Sequence, residues 1–404
     1  MEKQLIPQLR FPYYNDDWDK VVLEKITTKI SDGIHSTPNY DLNGEYYFVN
    51  GNNLVNGSIS INENTKKVSL EEFKKHKRPL SKNSILLSIN GTIGNLAFYN
   101  NENIVLGKSA CYINLQKDLP INFYYYILQT PKIKKYFLSE LTGSTIMNLS
   151  LRTIKATKLI VPPLTEQQKI ASFLTDVDDK ITKLTKKKEL LEHYKKGVTK
   201  KIFNQELRFK DDEGNEFPVW EEKRLGEIGS IVSGLTYSPN DIDENGVLVL
   251  RSSNVKKRLI ALNDNVFVNV EEGKFNPVKL NDILICVRNG SKRLIGKNAI
   301  IKEEHIGLAF GAFMTVYRSN YNRFLFHFFD SQYYKKEVHK NLGATINSIN
   351  GGDLKKFKVP FPCIAEQIKI ANFLSDIDVK IKALNTKIEN SKSFKKGLLQ
   401  KMFV

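Results

Sequence analysis

One segment of 42 residues occurs twice in this chain, 200 positions apart, and it constrains every fold the chain can adopt. Pro162–Phe203 aligns with Pro362–Phe403 without a gap, with 20 identities in 42 positions. The shared core reads EQQKIASFLTDVDDKI from Glu166 and EQIKIANFLSDIDVKI from Glu366, and both copies close on KKG followed by a Phe. Apolar residues recur at three- and four-residue steps. They are Ile170, Leu174, Val177, Ile181, Leu184, Leu191, Val198 and Ile202 in one copy, and Leu374, Ile377, Ile381, Leu384, Ile388, Leu398 and Met402 in the other. A period near 3.5 predicts a long helix with a coiled-coil seam. Lys188 and Ser391 interrupt that seam near its middle. Pro162-Pro163 and Pro362 place each helix start just beyond them. About 38 helical residues make a rod of roughly 57 Å.

The segments before the helices correspond more loosely. Phe11-Pro12 with Trp18 parallels Phe217-Pro218 with Trp220; NSILLSING from Asn83 parallels NDILICVRNG from Asn281; GSTIMNLS from Gly143 parallels GATINSIN from Gly343. Short β-branched runs broken by Asn/Gly turns predict strands, and the aromatic stretches Phe123–Ile127 and Phe324–Phe329 predict buried helices. The expected fold class is α+β: two mixed α/β, strand-rich globules alternating with two long helices. The expected order is a first domain at 1–161, a long helix at 162–203, a polar linker at 204–216, a second domain at 217–361 and a long helix at 362–404. Two copies in one chain imply a pseudo-two-fold, with the helices paired as an antiparallel coiled coil.

Charge narrows the function. Sixty-one Lys and Arg against 44 Asp and Glu give a net +17, which favours a polyanionic partner, nucleic acid or an anionic membrane surface. The start of the chain has no apolar signal region, and no stretch approaches the roughly 18–20 apolar residues of a spanning helix, so no membrane role is expected. Cys111, Cys286 and Cys363 are far apart and lack CxxC spacing. They are expected to be small core residues of a protein in a reducing cytoplasm.

A basic pseudo-dimer matches duplex DNA, which is itself two-fold symmetric. Fused and diverged reading units imply two different half-sequences separated by an unread spacer, with the helices as the ruler. A chain of globular domains, each followed by a PPLTEQQKIASFLTDVDDKI-type helix, resembles the specificity subunits of type I restriction–modification systems, over nearly its whole length. The resemblance implies two target-recognition domains and assembly with two methyltransferase subunits that bring S-adenosylmethionine for N6-adenine methylation. It also implies restriction/translocase subunits using ATP and Mg²⁺. No cofactor is then expected on this chain. Consistently, the sequence contains no G-x-G-x-x-G loop, Walker A loop, amino-methyltransferase tetrapeptide or HExxH. Two other readings make different predictions. An enzyme would show activity from the purified chain; a scaffold would show no sequence-dependent DNA affinity.

Direct readout needs polar or cationic side chains reaching base edges. The turn Arg288-Asn289-Gly290-Ser291-Lys292-Arg293 puts three cations, an amide and a glycine in six residues, as a DNA contact or as a solvated hairpin turn. Its first-half counterpart is Asn90-Gly91-Thr92. Ser36 and Thr37 lie in a turn-like stretch matched by Ser233–Thr236, and Arg251 and Asn254 follow a β-rich run as Asn50 and Asn53 do; these read as contacts or as ordinary turn chemistry. Lys108 and Arg152 are further phosphate candidates, whereas the lysines at 183 and 186–188 read as a solvated helix face.

Overall fold

A computed structural model describes residues 5–143, 147–271, 273–342 and 348–404. The chain divides into two compact units, Met1–Thr185 with Thr386–Val404, and Lys186–Asn385. The long helices, Leu164–Phe203 and Ile364–Lys401, each run unbroken through the boundary, so every unit draws on both. Ser144–Ile146 and Gly343–Asn347, within the GSTIMNLS and GATINSIN correspondence, lie outside the described residues.

The first unit is built on a four-stranded antiparallel sheet in the spatial order Thr27–Asp32, Ala110–Leu115, Ser84–Ser88, Leu96–Phe98. Ser84–Ser88 is buried on both faces, which is why its sequence, SILLS, is apolar at consecutive positions. Ile85 and Leu87 face one core, and Leu86 faces another with Ala97 and Tyr112, as the two-residue period of a strand requires. The first of these cores is closed by the aromatic helix Ile121–Ile127 and by Ile170, Ala171, Leu174 and Val177 of the long helix. It also takes in Leu398, Leu399, Met402 and Phe403, and Lys395 meets Asp178 at 2.7 Å beside them. A smaller three-stranded sheet, Lys67–Val68, Tyr46–Val49 and Ile104–Leu106, lies next in the chain's plan, and Asp19–Val22 pairs with Lys158–Val161 at the helix entrance.

The second unit repeats this plan: Ser230–Ser233, Met314–Arg318, Ile283–Cys286 and Asn298–Ile300 in one sheet, and Glu221–Arg224 paired with Lys358–Phe361. Ile283 and Ile285 face the core that contains Ile370, Leu374 and Ile377, with Val198, Ile202 and Phe203 from the other long helix; Leu284 and Cys286 face the opposite core. Lys195 bonds Asp378 at 2.6 and 2.7 Å.

Each long helix begins at a buried carboxylate. Arg10 Nε and Nη2 donate to Glu166 at 2.9 and 2.8 Å. Arg208 does the same to Glu366 at 3.2 and 2.8 Å, and Trp220 Nε1 adds a third bond at 2.8 Å. The following residues pack alike: Phe11 on Phe173 at 5.6 Å and Phe209 on Phe373 at 5.5 Å. Leu9 N donates to Lys401 O, and Leu207 N to Lys201 O. The equivalent tripeptides are therefore Leu9-Arg10-Phe11 and Leu207-Arg208-Phe209. This corrects the pairing of Phe11-Pro12 with Phe217-Pro218, although Trp18 and Trp220 do correspond. The second strap is four residues longer between its arginine and its tryptophan, which hid the match. Residues 204–216 form a bonded strap, with a Lys210–Glu216 bridge.

Removing one partner of a buried pair leaves the other uncompensated. Glu366→Ala is expected to destabilise the second unit by about 3–5 kcal/mol in denaturant unfolding, and a loss under about 1 kcal/mol would show that the pair contributes nothing. His327, fully buried, has its pKa pushed down to about 3, by burial first and then by Lys195 and Arg258. The folded chain keeps it neutral while the unfolded chain protonates it near 6.5. Its contribution is complete above that value and is lost as pH falls toward about 3. Between pH 7 and pH 5 this group should cost about 2 kcal/mol of stability, a slope that His327→Asn removes in urea titrations at the two pH values.

Candidate nucleic-acid interface

The sequence-selected residues of the first unit come from segments that meet at one end of its main sheet. Gly33 and Ile34 run against Leu106 and Gly107, with Ile34 N donating to Leu106 O at 2.7 Å. Only glycine fits at 33, since a Cβ there would stand 2.1 Å from Leu106 O. This approach delivers Ser36 and Thr37, both exposed, beyond the sheet edge. Lys108, exposed, is the residue between Gly107 and Ser109. Ser109 is a hub: its hydroxyl donates to Asn50 Oδ1 and accepts from Gly51 N, both at 2.9 Å, and its carbonyl accepts from Ile89 N. Asn90 is bridged to Asn148, and Thr92 is exposed on the turn that follows. Arg152 is exposed on the short helix Leu151–Lys155, whose start Ser150 caps through Thr153 N at 3.0 Å. The first-unit residues therefore share one end of one domain.

The second unit brings its own set together on the same backbone frame. Leu235 is bridged to Gly311, as Ile34 is to Gly107, and Arg288 to Ser348, as Asn90 is to Asn148. Asn289 Nδ2 donates to Ser252 Oγ at 3.0 Å, joining the cationic turn to the 251–254 segment, and Asn289 Oδ1 accepts from Ser291 N. Lys292 and Arg293 open the single helical turn Lys292–Leu294 and are exposed. Arg251 reaches Asp264 at 3.1 Å.

Two corrections follow from the side chains. Asn254 is completely buried: its amide donates to Ala261 O and Asp264 O at 3.1 Å, and its Oδ1 accepts from Arg251 N at 2.9 Å. Its hydrogen-bonding capacity is spent inside the domain, so it holds the loop and does not reach a base. Asn53 holds the equivalent turn, accepting from Asn50 N at 2.9 Å. Sequence reasoning also missed Phe313, which is 58% exposed and lies 5.7 Å beneath the Arg288 guanidinium, and Lys297, which donates to Ser252 O at 3.1 Å. The signal is present in the sequence: Gly311-Ala312-Phe313 occupies the place of Gly107-Lys108-Ser109, whose middle residue is one of the phosphate candidates.

What results is two ends with one loop frame and different chemistry. The first displays Lys108 and Arg152 with hydroxyls and an amide; the second displays Arg288, Lys292 and Arg293 with an aromatic ring. Cations position a phosphate backbone, and bidentate or apolar groups discriminate base edges. Among the described residues, no helix is long and apolar enough to cross a membrane.

Comparison with known proteins gives a consistent result. The family model described as the type I restriction modification DNA specificity domain matches twice, over residues 15–193 and 219–391. The MjaVIII type I restriction enzyme specificity subunit of Methanocaldococcus jannaschii is 30% identical over 334 residues, 79% of this chain and 78% of that one. The EcoKI specificity subunit of Escherichia coli is 27% identical over 184 residues, 42% of this chain and 38% of that one. The crystal structure of a type I restriction–modification S subunit from M. genitalium superimposes with a TM-score of 0.61 at 18% identity, covering 99% of both chains.

The role assigned to Asn254 can be measured. Asn254→Ala leaves a buried backbone amide and two carbonyls short of partners, and should cost about 1–3 kcal/mol. Asn254→Asp, which keeps only the acceptor, should lose the two donated bonds but keep the Arg251 bond. An alanine variant as stable as the parent in thermal unfolding would return Asn254 to the list of base contacts.

Proposed function

Because the chain belongs to the family of type I restriction–modification specificity subunits, we propose that it reads a bipartite, asymmetric DNA site, one half with each recognition domain. As a specificity subunit it is a non-catalytic component of its complex. The supporting observation is the repeated loop frame with unlike exposed side chains, since a shared frame presents each set to DNA in the same way while different groups select different bases. The reading residues are Ser36, Thr37, Asn90, Thr92, Lys108 and Arg152 in the first half, and Arg251, Arg288, Asn289, Ser291, Lys292, Arg293 and Phe313 in the second.

The two long helices pair as an antiparallel coiled coil related by a pseudo-two-fold and set the spacer. Their continuity through both units supports this, a 40-residue helix spanning about 60 Å. The subunit works in the cytoplasm and directs two methyltransferase subunits, carrying S-adenosylmethionine, to N6-adenine methylation of a base turned out of the duplex. Restriction/translocase subunits supply the ATP- and Mg²⁺-dependent cleavage.

Genome-wide adenine methylation in cells expressing this chain with its methyltransferase tests the reading. A two-part motif that disappears when the chain is deleted supports it, and unchanged methylation sinks it. Arg288→Ala with Arg293→Ala should relax bases in only one half of the motif, a discrimination of about 1–3 kcal/mol per bidentate contact. Removing matched heptads from both helices, within 182–189 and 382–389, should shorten the spacer by about three base pairs, from 1.5 Å per residue and 3.4 Å per base pair.

A further inference from the structure

The second unit contains a cavity that the reading loops do not use. Its volume is about 850 Å³, within the roughly 300–1,000 Å³ that encloses a small organic ligand and too small for a duplex. Strand Ile283–Cys286 separates the two places. Asn281, just before the strand, lines the cavity; Arg288, just after it, stands over Phe313 with the reading loops.

The walls are strongly cationic: ten lysines and arginines against three carboxylates, an excess of seven positive charges. The carboxylates are already answered from the walls. Asp378 is held by Lys195 at 2.6 Å, Glu192 by Lys188 at 3.3 Å and Asp330 by Lys335 at 3.6 Å. Lys196, Lys200, Lys257 and Lys302 have no carboxylate partner among the described residues. Such a concave set of ammonium groups concentrates positive potential.

Arg258 closes one wall at a cost. It adopts a left-handed backbone, φ +63°, at a position where a β-carbon is disfavoured. Its guanidinium lies 3.9 Å over Phe326 and donates to Asn298 Oδ1 and the Phe326 carbonyl. The first-half hairpin places Asn56 and Gly57, residue types suited to positive φ, at the two turn positions where the second half has Lys257 and Arg258.

The internal repeat supplies the control. Hairpin Leu54–Ile59 matches Val255–Ile260, and helix Ile121–Ile127 matches Asn322–Phe328. On that register the first half has Asn56, Gly57, Asn122 and Gln129 where the second has Lys257, Arg258, Arg323 and Asp330. Within the long-helix repeat it has Gln400 and Thr182 where the second has Lys200 and Lys382. The packing also differs: Tyr126 fills the first half by donating to Asp178 at 2.9 Å, whereas His327, a smaller ring, meets Ser375 at 3.2 Å. A generic solvated lysine face would not concentrate these changes around one cavity.

We propose that this cavity binds an organic polyphosphate of the nucleoside triphosphate class, held by Lys196, Lys200, Lys257 and Lys302. Multiple negative charge matches several ammonium groups lining one cavity, and the lysine stems with Leu259 and Ile300 give an apolar floor for a ring. The proposal stands independently of the DNA-reading assignment, because no reading residue lines the cavity.

Titration calorimetry of the full-length chain, free of restriction subunits and magnesium, tests it with ATP and inorganic triphosphate as probes. One site per chain is expected, weakened by about tenfold or more in Lys200→Gln with Lys257→Asn, the residues of the first half. The melting temperature of that double variant should be unchanged, since both positions are exposed. Equal affinity for the two probes would show that phosphates alone are recognised; tighter ATP would add the nucleoside; both support the site. Absent binding at millimolar probe, two equal sites, indifference to the double variant, or displacement of ATP by a short duplex would each overturn it.

Discussion

Glu166 and Glu366 sit at the first turns of the two long helices, fully out of solvent, and the cost of burying each is offset by an arginine that donates two hydrogen bonds to it. The positive end of the helix dipole assists. Satisfying that carboxylate fixes three things together: the strap that carries the arginine, the phenylalanine beside it, and the helix start. The strap leads directly into the strand that pairs with the last strand of the recognition domain, Asp19–Val22 or Glu221–Arg224. One ion pair per unit thus aligns helix and domain, and the loops at the end of the sheet inherit their orientation within the unit from it.

From that base, each domain separates frame from content. The frame consists of glycines where backbones touch, such as Gly33 and Gly234, asparagines that hold turns, and a central strand buried on both faces. The content is what projects beyond it. Substitutions at Lys108 or Arg293 touch nothing the frame needs, so the exposed chemistry can change while the fold does not. Asn254 and Asn53, although polar and in loops, belong to the frame, which is why residue type alone misassigned the former.

The helices were the most legible part of the sequence, since a 3.5-residue period that runs through most of a 42-residue segment, with one interruption near its middle, and recurs 200 residues later has few alternatives. The buried aromatic helices and the strand SILLS were readable for the same reason, local periodicity and apolarity. Three features were not. The Arg10–Glu166 and Arg208–Glu366 pairs join residues 156 and 158 positions apart, and no local pattern announces such a partner. The strap repeat was obscured by a four-residue length difference, which shifted the match onto the wrong Phe-Pro. Phe313 directly precedes the β-branched strand Met314–Arg318 and is indistinguishable from it by residue type, and only the turn after Gly311 leaves it exposed. The sequence could name which loops carried polar residues; which of those side chains are spent internally depended on burial.

The division of the chain into units also has a temporal side. Lys186–Asn385 is continuous, so everything the second unit requires has been synthesised before the last turns of the second long helix. The first unit, although it contains the beginning of the chain, is completed only by Thr386–Val404, whose Leu398, Met402 and Phe403 cover Ile170, Leu174 and Phe123. The half made first is therefore the half finished last. A nascent chain carries an uncovered apolar helix face until Thr386–Val404 has been made, an interval in which a folding intermediate is exposed to aggregation or to capture by chaperones.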